Sequence, residues 1–180
     1  GFRLDVPQAI GDGDDTFSVE WWTEFQNYVH SINPSAYIVG EVNYDQIETG
    51  NAKIAPFLSG MYSAFDFPLY NLEVTRLSCI DTDILATLNK TREAYKAVNA
   101  NYSDAIIIGN HDRNRIASEL NFSAGKIRRS IALLLTLPGT PFLYYGDEIG
   151  MRGGHDLQGD PNKREPFDWY KTASGRGMTT

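Results

Sequence analysis

The sequence predicts an α/β protein, a (β/α)8 barrel of which these 180 residues supply about the last five βα units. Three observations carry that reading. Short aliphatic runs alternate with stretches of helical periodicity, which suggests repeated βα units. Three of the runs stop at an acidic residue, and further polar groups follow the others. Polar groups at the ends of successive strands are what a barrel gathers at one rim, whereas an open doubly wound sheet gathers its site at a single switch point. Five units fall short of a closed barrel, so residues 1–180 read as a partial (β/α)8 domain, a segment of a longer chain whose missing N-terminal half of the barrel would precede Gly1.

The first strand is Gly1-Phe2-Arg3-Leu4-Asp5, which ends in an acid. Gly11-Asp12-Gly13-Asp14-Asp15 is a loop, with Thr16 expected as the N-cap of the helix that follows. Phe17, Trp21, Phe25, Tyr28, Val29 and Ile32 recur at steps of three and four and make that helix's core face. Asn33-Pro34 stops it, because the residue before a proline is pushed out of the helical region. Tyr37-Ile38-Val39-Gly40-Glu41 is the second strand. Strand, helix and strand within about forty residues form a βαβ unit with parallel strands.

Residues 44–59 are weakly helical, and Gly60 fits a C-terminal stop. Met61-Tyr62-Ser63-Ala64-Phe65-Asp66-Phe67-Pro68 reads as a short strand and its loop. Two helical pieces fill residues 69–98, with Ile84, Leu85, Leu88, Tyr95 and Val98 toward the core. Ala105-Ile106-Ile107-Ile108-Gly109 is an unbroken aliphatic run, as expected of a strand buried on both faces, and it stops at Asn110-His111-Asp112. Ile127, Ile131, Leu134 and Leu135 mark a helix ended by Pro138-Gly139. A last strand with a polar end lies in Pro141-Phe142-Leu143-Tyr144-Tyr145-Gly146-Asp147-Glu148.

Composition narrows the partners. Hydrophobic residues are 42% and aromatic residues 12% of the chain, as in ordinary folded proteins. The formal net charge is -7 and no cluster of Lys or Arg appears, which argues against nucleic acid. The longest apolar run, 131–135, is far below the ~20 residues of a membrane span. Cys79 is the single cysteine, so no internal disulfide forms, and the compartment, secreted or cytoplasmic, stays open. Asn89, Asn101 and Asn121 open N-x-Ser/Thr triplets at a frequency that chance explains.

An acid after one strand is most often a helix cap or a solvated loop residue. Three such acids are harder to dismiss, with Arg3 two residues before Asp5 and His111 beside Asp112. Acids on neighbouring parallel strands can converge on one substrate atom, for metal binding or for cleavage of an acetal. Asp12-Gly13-Asp14-Asp15 offers a tight carboxylate loop but not the remaining ligand spacing, so no metal is assigned. Glycoside cleavage requires one carboxylic acid to protonate the leaving oxygen and one carboxylate to attack or to activate water. A third can hold hydroxyls and favour the distorted, oxocarbenium-like ring.

Gly1-Phe2-Arg3-Leu4-Asp5, Val39-Gly40-Glu41 and Asn110-His111-Asp112 resemble, in order and separation, the second, third and fourth conserved regions of the α-amylase family of glycoside hydrolases. Gly139-Thr140-Pro141-Phe142-Leu143-Tyr144-Tyr145-Gly146-Asp147-Glu148-Ile149-Gly150 is similar to that family's eighth-strand signature. The resemblance implies that Asp5 is the nucleophile, Glu41 the general acid/base and Asp112 the transition-state stabiliser. It further implies that Arg3 keeps the nucleophile ionised and that Glu41 starts protonated near neutral pH. Asn110 and His111 would bond sugar hydroxyls next to Asp112, Asp160 and Arg164 would grip the neighbouring sugar, and Arg115 would do similar work.

The implied activity is retaining hydrolysis of α-glucosidic bonds in starch-derived or related α-gluco-oligosaccharides by double displacement. The alternatives are a glucosyl-transferring or isomerising relative and, further off, a non-catalytic barrel subunit, which the retention of all three acids argues against. Gln8 and Ala9 stand where many starch-cleaving members carry Lys-His, which favours short oligosaccharides, exo-action or transglycosylation. The family's first conserved region and most of its calcium ligands are absent from this stretch, so any structural calcium belongs to the full-length protein.

Overall fold

A computed structural model describes residues 1–46, 49–76, 82–153, 160–167 and 169. Among these residues the strands are β1 (Phe2–Leu4), β2 (Ile38–Gly40), β3 (Ser63–Ala64), β4 (Ala105–Ile107) and β5 (Thr140–Phe142); the first four lie within the runs expected to contain them, and β5 begins one residue before its run and ends at Phe142. The sheets are partial. β1, β2 and β3 form one, β4 and β5 form another, and every pairing is parallel. A parallel bridge from Phe65 to Ala105 links the two. The strands thus neighbour one another in chain order with no reversal, and a doubly wound sheet requires a reversal.

Register brings the strand ends together. Leu4 pairs with Gly40, and the Glu41 amide donates to the Leu4 carbonyl at 2.9 Å, so Asp5 and Glu41 leave adjacent strands at one level. Glycine at position 40 leaves room for the end of the buried Met61 side chain, which a Cβ there would displace. β4 is buried on both faces as expected: Ile106 and Ile108 pack with Leu69, Leu88, Ile116 and Leu134, while Ile107 packs with Phe67 and Tyr70.

Helix α1 (Asp15–Ile32) starts earlier than expected. Its cap is Asp14, not Thr16: Asp14 has extended backbone and its carboxylate accepts from the Phe17 amide at 3.1 Å. It ends at Asn33 in extended conformation before Pro34. Its buried face is turned in part from the expected stripe, of which Phe25 and Val29 do face inward. Ser18, Val29 and the packed Val19, Trp22 and Phe25 face inward, whereas Phe17, Trp21, Tyr28 and Ile32 are exposed. Polar seating explains the difference. Ser18 Oγ accepts from the Gly11 amide and lies within hydrogen-bond distance of the Asp14 and Gln8 carbonyls, and Trp22 Nε1 donates to Pro7 O at 2.8 Å. These bonds fix the helix on the Pro7–Ala9 3-10 turn.

The weakly helical stretch resolves into α2 (Gly50–Ile54) and a 3-10 turn over Ala55–Ser59. Gly60 follows it with φ -102, so a left-handed cap is not what requires glycine. A Cβ at Gly60 would lie 2.8 Å from the Thr23 amide nitrogen and 2.9 Å from the Val19 carbonyl, both on α1.

α3 (Phe67–Arg76) and α4 (Thr82–Val98) are the two expected helical pieces. The Asp66 carboxylate caps α3 by accepting from the Leu69 amide at 2.8 Å. Leu88 and Tyr95 are buried and Val98 is exposed. The side chains of Ile84 and Leu85 lie outside the described residues. A short α5 (Ile116–Glu119), unforeseen from the sequence, precedes α6 (Ala124–Thr136). α6 buries Leu134 but exposes Leu135. No described helix is long and apolar enough to cross a membrane.

Candidate active site

The ends of β1, β2 and β4 deliver Asp5, Glu41 and Asp112 to one cluster. Arg3, on β1, binds both of the first two: it pairs with the Asp5 carboxylate, and its Nη2 lies 2.7 Å from Glu41 Oε2. Glu41 is almost fully buried, with a side chain 5% exposed, while Asp5 projects into solvent. Ligand atoms of Glu41, His111 and Asp112 all lie within 4.8 Å of one another. His111 Nε2 stands 3.2 Å from Asp112 Oδ2. The hydrogen bond and charge of Arg3 hold the Asp5 carboxyl below its ordinary value of 3.8, and Glu41 and His111 act in the same direction more weakly.

Asp112 is held by the segment 163–164. Arg164 Nη2 donates to Asp112 Oδ1 at 2.7 Å and its Nε to the His111 carbonyl at 3.1 Å. Lys163 Nζ donates to the Asp112 carbonyl at 3.1 Å. The backbone of Asp160 lies in the 3-10 turn Asp160–Asn162, and its side chain is outside the described residues.

Of the residues expected to bind sugar, Arg115 is instead fully buried, and Asn110 is half-buried with its Oδ1 turned to the backbone. Arg115 is 0% exposed: it is buried against Asp147 at 3.4 Å and donates to the Tyr145 carbonyl. Burial moves the Asp147 carboxyl up to about 7 even with Arg115 alongside. Asn110 Oδ1 accepts from the amides of Asp112 (2.9 Å) and Arg113 (3.0 Å), an Asx turn that shapes the strand end.

Sequence reasoning missed Arg113 and Lys163. Arg113 reaches Asn43 and Asp45 at 3.3 Å and lies over the rings of Phe67 and Tyr70. Its neighbour Asp112 was the only available signal, as Arg164 was for Lys163. Beside Asp112 opens a cleft of about 350 Å³ lined by Tyr70, Asn71, Arg113, Asn114, Glu119 and Lys163.

The cluster of Glu41, His111 and Asp112 is the only grouping of metal-ligating side chains found among the described residues, and it does not suit calcium. Calcium takes six to eight oxygens. Here a guanidinium already sits 2.7 Å from each carboxylate, Arg3 on Glu41 and Arg164 on Asp112. Asp14 and Asp15 of the early acidic loop are likewise engaged, in capping α1 and in accepting from the Tyr44 hydroxyl. The arrangement suits acid/base and nucleophilic chemistry at a hydroxyl-rich substrate.

Residues 1–179 match the family model described as "Alpha amylase, catalytic domain". The chain is 40% identical over 183 residues to "Alpha-amylase 3" of Dictyoglomus thermophilum, covering 99% of this chain and 34% of that protein. Among solved structures, the α-amylase from H.orenii superposes with a TM-score of 0.81 at 34% identity, covering 96% of this chain and 35% of that one. Amy13B of Eubacterium rectale gives 0.83 at 30% identity, covering 99% and 35%. The chain therefore spans about a third of the length of the proteins it matches. With Asp5, Glu41 and Asp112 gathered at the ends of parallel strands and the family model matched from residue 1 to residue 179, this chain belongs to the α-amylase family.

Proposed function

We propose that the chain forms the last five of eight βα units of a barrel and carries the catalytic centre of a retaining glycosidase acting on α-glucosidic bonds of starch-derived oligosaccharides. The observation that supports this most is the linkage of two carboxyls through one guanidinium: Arg3 contacts both Asp5 and Glu41, with Asp112 beside Glu41. Those two carboxyls differ in environment: Asp5 is exposed and held ionised by Arg3, and Glu41 is buried.

In the first step Asp5 attacks the anomeric carbon, the glycosidic C–O bond breaks, and Glu41 gives its proton to the leaving oxygen. A glycosyl ester on Asp5 results. Glu41, now ionised, takes a proton from water, whose oxygen attacks the same carbon and displaces Asp5. Two inversions retain the configuration. Asp112 and His111, joined at 3.2 Å, hold hydroxyls of the reacting ring. Arg164, bonded to Asp112, holds that carboxylate in place.

The test uses the full-length protein with maltotriose. Asp5→Asn removes the nucleophile and is expected to abolish turnover, and proton NMR of the wild-type product is expected to show the α-anomer first. Unchanged cleavage in the variant, or a β-anomer as first product, overturns the reading. A glucosyl-transferring enzyme is the second reading, favoured by Gln8 and Ala9 after the nucleophile strand. Products longer than maltotriose in the same reaction would select it.

A further inference from the structure

We infer that the buried Arg115 is a positioning residue for Asp112, acting through Tyr144 and Tyr145 on the segment that grips Asp112; this rests on the glycosidase reading above. The contacts close a ring. Arg115 follows Asp112 by three residues, and its guanidinium carbon lies 4.6 Å from the ring centroids of both Tyr144 and Tyr145. Those tyrosines direct their hydroxyls at the backbone of the next segment: Tyr144 donates to the Lys163 carbonyl at 3.0 Å and Tyr145 to the Glu165 carbonyl at 2.7 Å. Arg164, between the two anchored carbonyls, returns to Asp112 and His111.

Glycine contacts tighten the ring. The Arg115 amide donates to the Gly153 carbonyl at 2.9 Å, and a Cβ at Gly153 would lie 2.3 Å from the Asn162 carbonyl. Gly146, at φ +87, leaves room for Arg115 Nη1, which a Cβ would approach to 3.1 Å. A fully buried guanidinium is costly unless paired, and Asp147 pairs with this one at 3.4 Å. The cation therefore serves as a fixed post, with tyrosine rings held against it by cation–π attraction. Their hydroxyls set the height of Arg164 over the strand end. Arg164 in turn holds the Asp112 carboxylate, one oxygen of which lies within 4.8 Å of a Glu41 oxygen.

Arg115→Ala would leave Asp147 buried without a partner and invites misfolding, so the test acts on the tyrosine hydroxyls instead. In the full-length enzyme, kcat and KM on maltotriose are measured for Tyr144→Phe/Tyr145→Phe, for Arg164→Gln and for all three substitutions together, with Asp5→Asn as control. The tyrosine pair is expected to lower kcat by about tenfold to a hundredfold, as small misplacements of a catalytic group do. Combined with Arg164→Gln it should cost no more than Arg164→Gln alone, because both act on one contact. Losses that multiply, or an undiminished kcat in the tyrosine pair, overturn the relay. If Asp5→Asn kept full activity, the glycosidase reading would fall and the relay with it. Loss in Asp5→Asn together with multiplying losses would remove the relay alone.

Discussion

At the scale of single residues, Arg3 ties the electrostatics of the site together. Its guanidinium spans two carboxyls and keeps Asp5 ionised below the usual aspartate range. Arg3→Gln in the full-length enzyme removes that hold, so the Asp5 pKa rises. A nucleophile that must be ionised then limits the rate over a wider acid range. The acidic limb of the kcat/KM profile is expected to move to higher pH, and an unmoved limb would contradict the assignment.

A second carboxyl pair, outside the Asp5–Glu41–Asp112 cluster, makes stability depend on pH. Asp66 and Asp104 are buried where β3 meets β4. Burial moves the Asp66 carboxyl up from 3.8 to about 6, and Asp104, buried next to it, is raised well above the same value. The folded state thus holds protons that the unfolded chain releases. The contribution of Asp66 is complete below the unfolded value of 3.8 and is lost as pH rises through about 6, and Asp104 contributes in the same direction. Asp66→Asn keeps the α3 cap, since Asn caps as well as Asp, and removes one ionisation. The drop in thermal midpoint between pH 4 and pH 7.5 should shrink in the variant. The grouping of Asp5, Glu41 and Asp112 was legible because each ends or closely follows a strand-like run. The buried fate of Arg115 was not, because no periodicity extends into the loop that holds it.

At the scale of elements, all five strands were legible, because unbroken or alternating apolar runs between helical stretches have few other readings. The face of α1 was legible only in part. Phe25 and Val29 of the expected stripe do face inward, but Phe17, Trp21, Tyr28 and Ile32 are exposed while Val19 and Trp22 pack inside, and the bonds of Ser18 and Trp22 to the preceding turn favour that rotation. Gly60 teaches a related lesson. By its φ of -102 alanine would be tolerated, yet a Cβ would press on the α1 backbone at Thr23 and Val19. Gly60→Ala is expected to destabilise the fold by about 1–3 kcal/mol, the usual cost of overpacking, with the denaturant slope unchanged. A neutral or stabilising effect would mean that α1 yields at no cost.

At the scale of the whole molecule, the misplaced stripe becomes informative. Phe2 and Phe25 meet edge to face at 5.6 Å, and with Tyr28 and Ile32 they line an apolar groove of about 450 Å³ beside β1. β1 pairs only with β2 among the described residues, and β5 only with β4. An unpaired strand edge next to an exposed apolar groove is a template for association. A protein consisting of these 180 residues is therefore expected to turn over maltotriose poorly and to self-associate as its concentration rises. Sedimentation velocity measures the second effect. Ile32→Lys, at a position 69% exposed, should lower the associated fraction while leaving the circular dichroism spectrum unchanged. Lysine places a hydrated charge in the groove and removes no buried contact. Concentration-independent sedimentation as a monomer would show that the groove and the β1 edge are covered from within the chain itself.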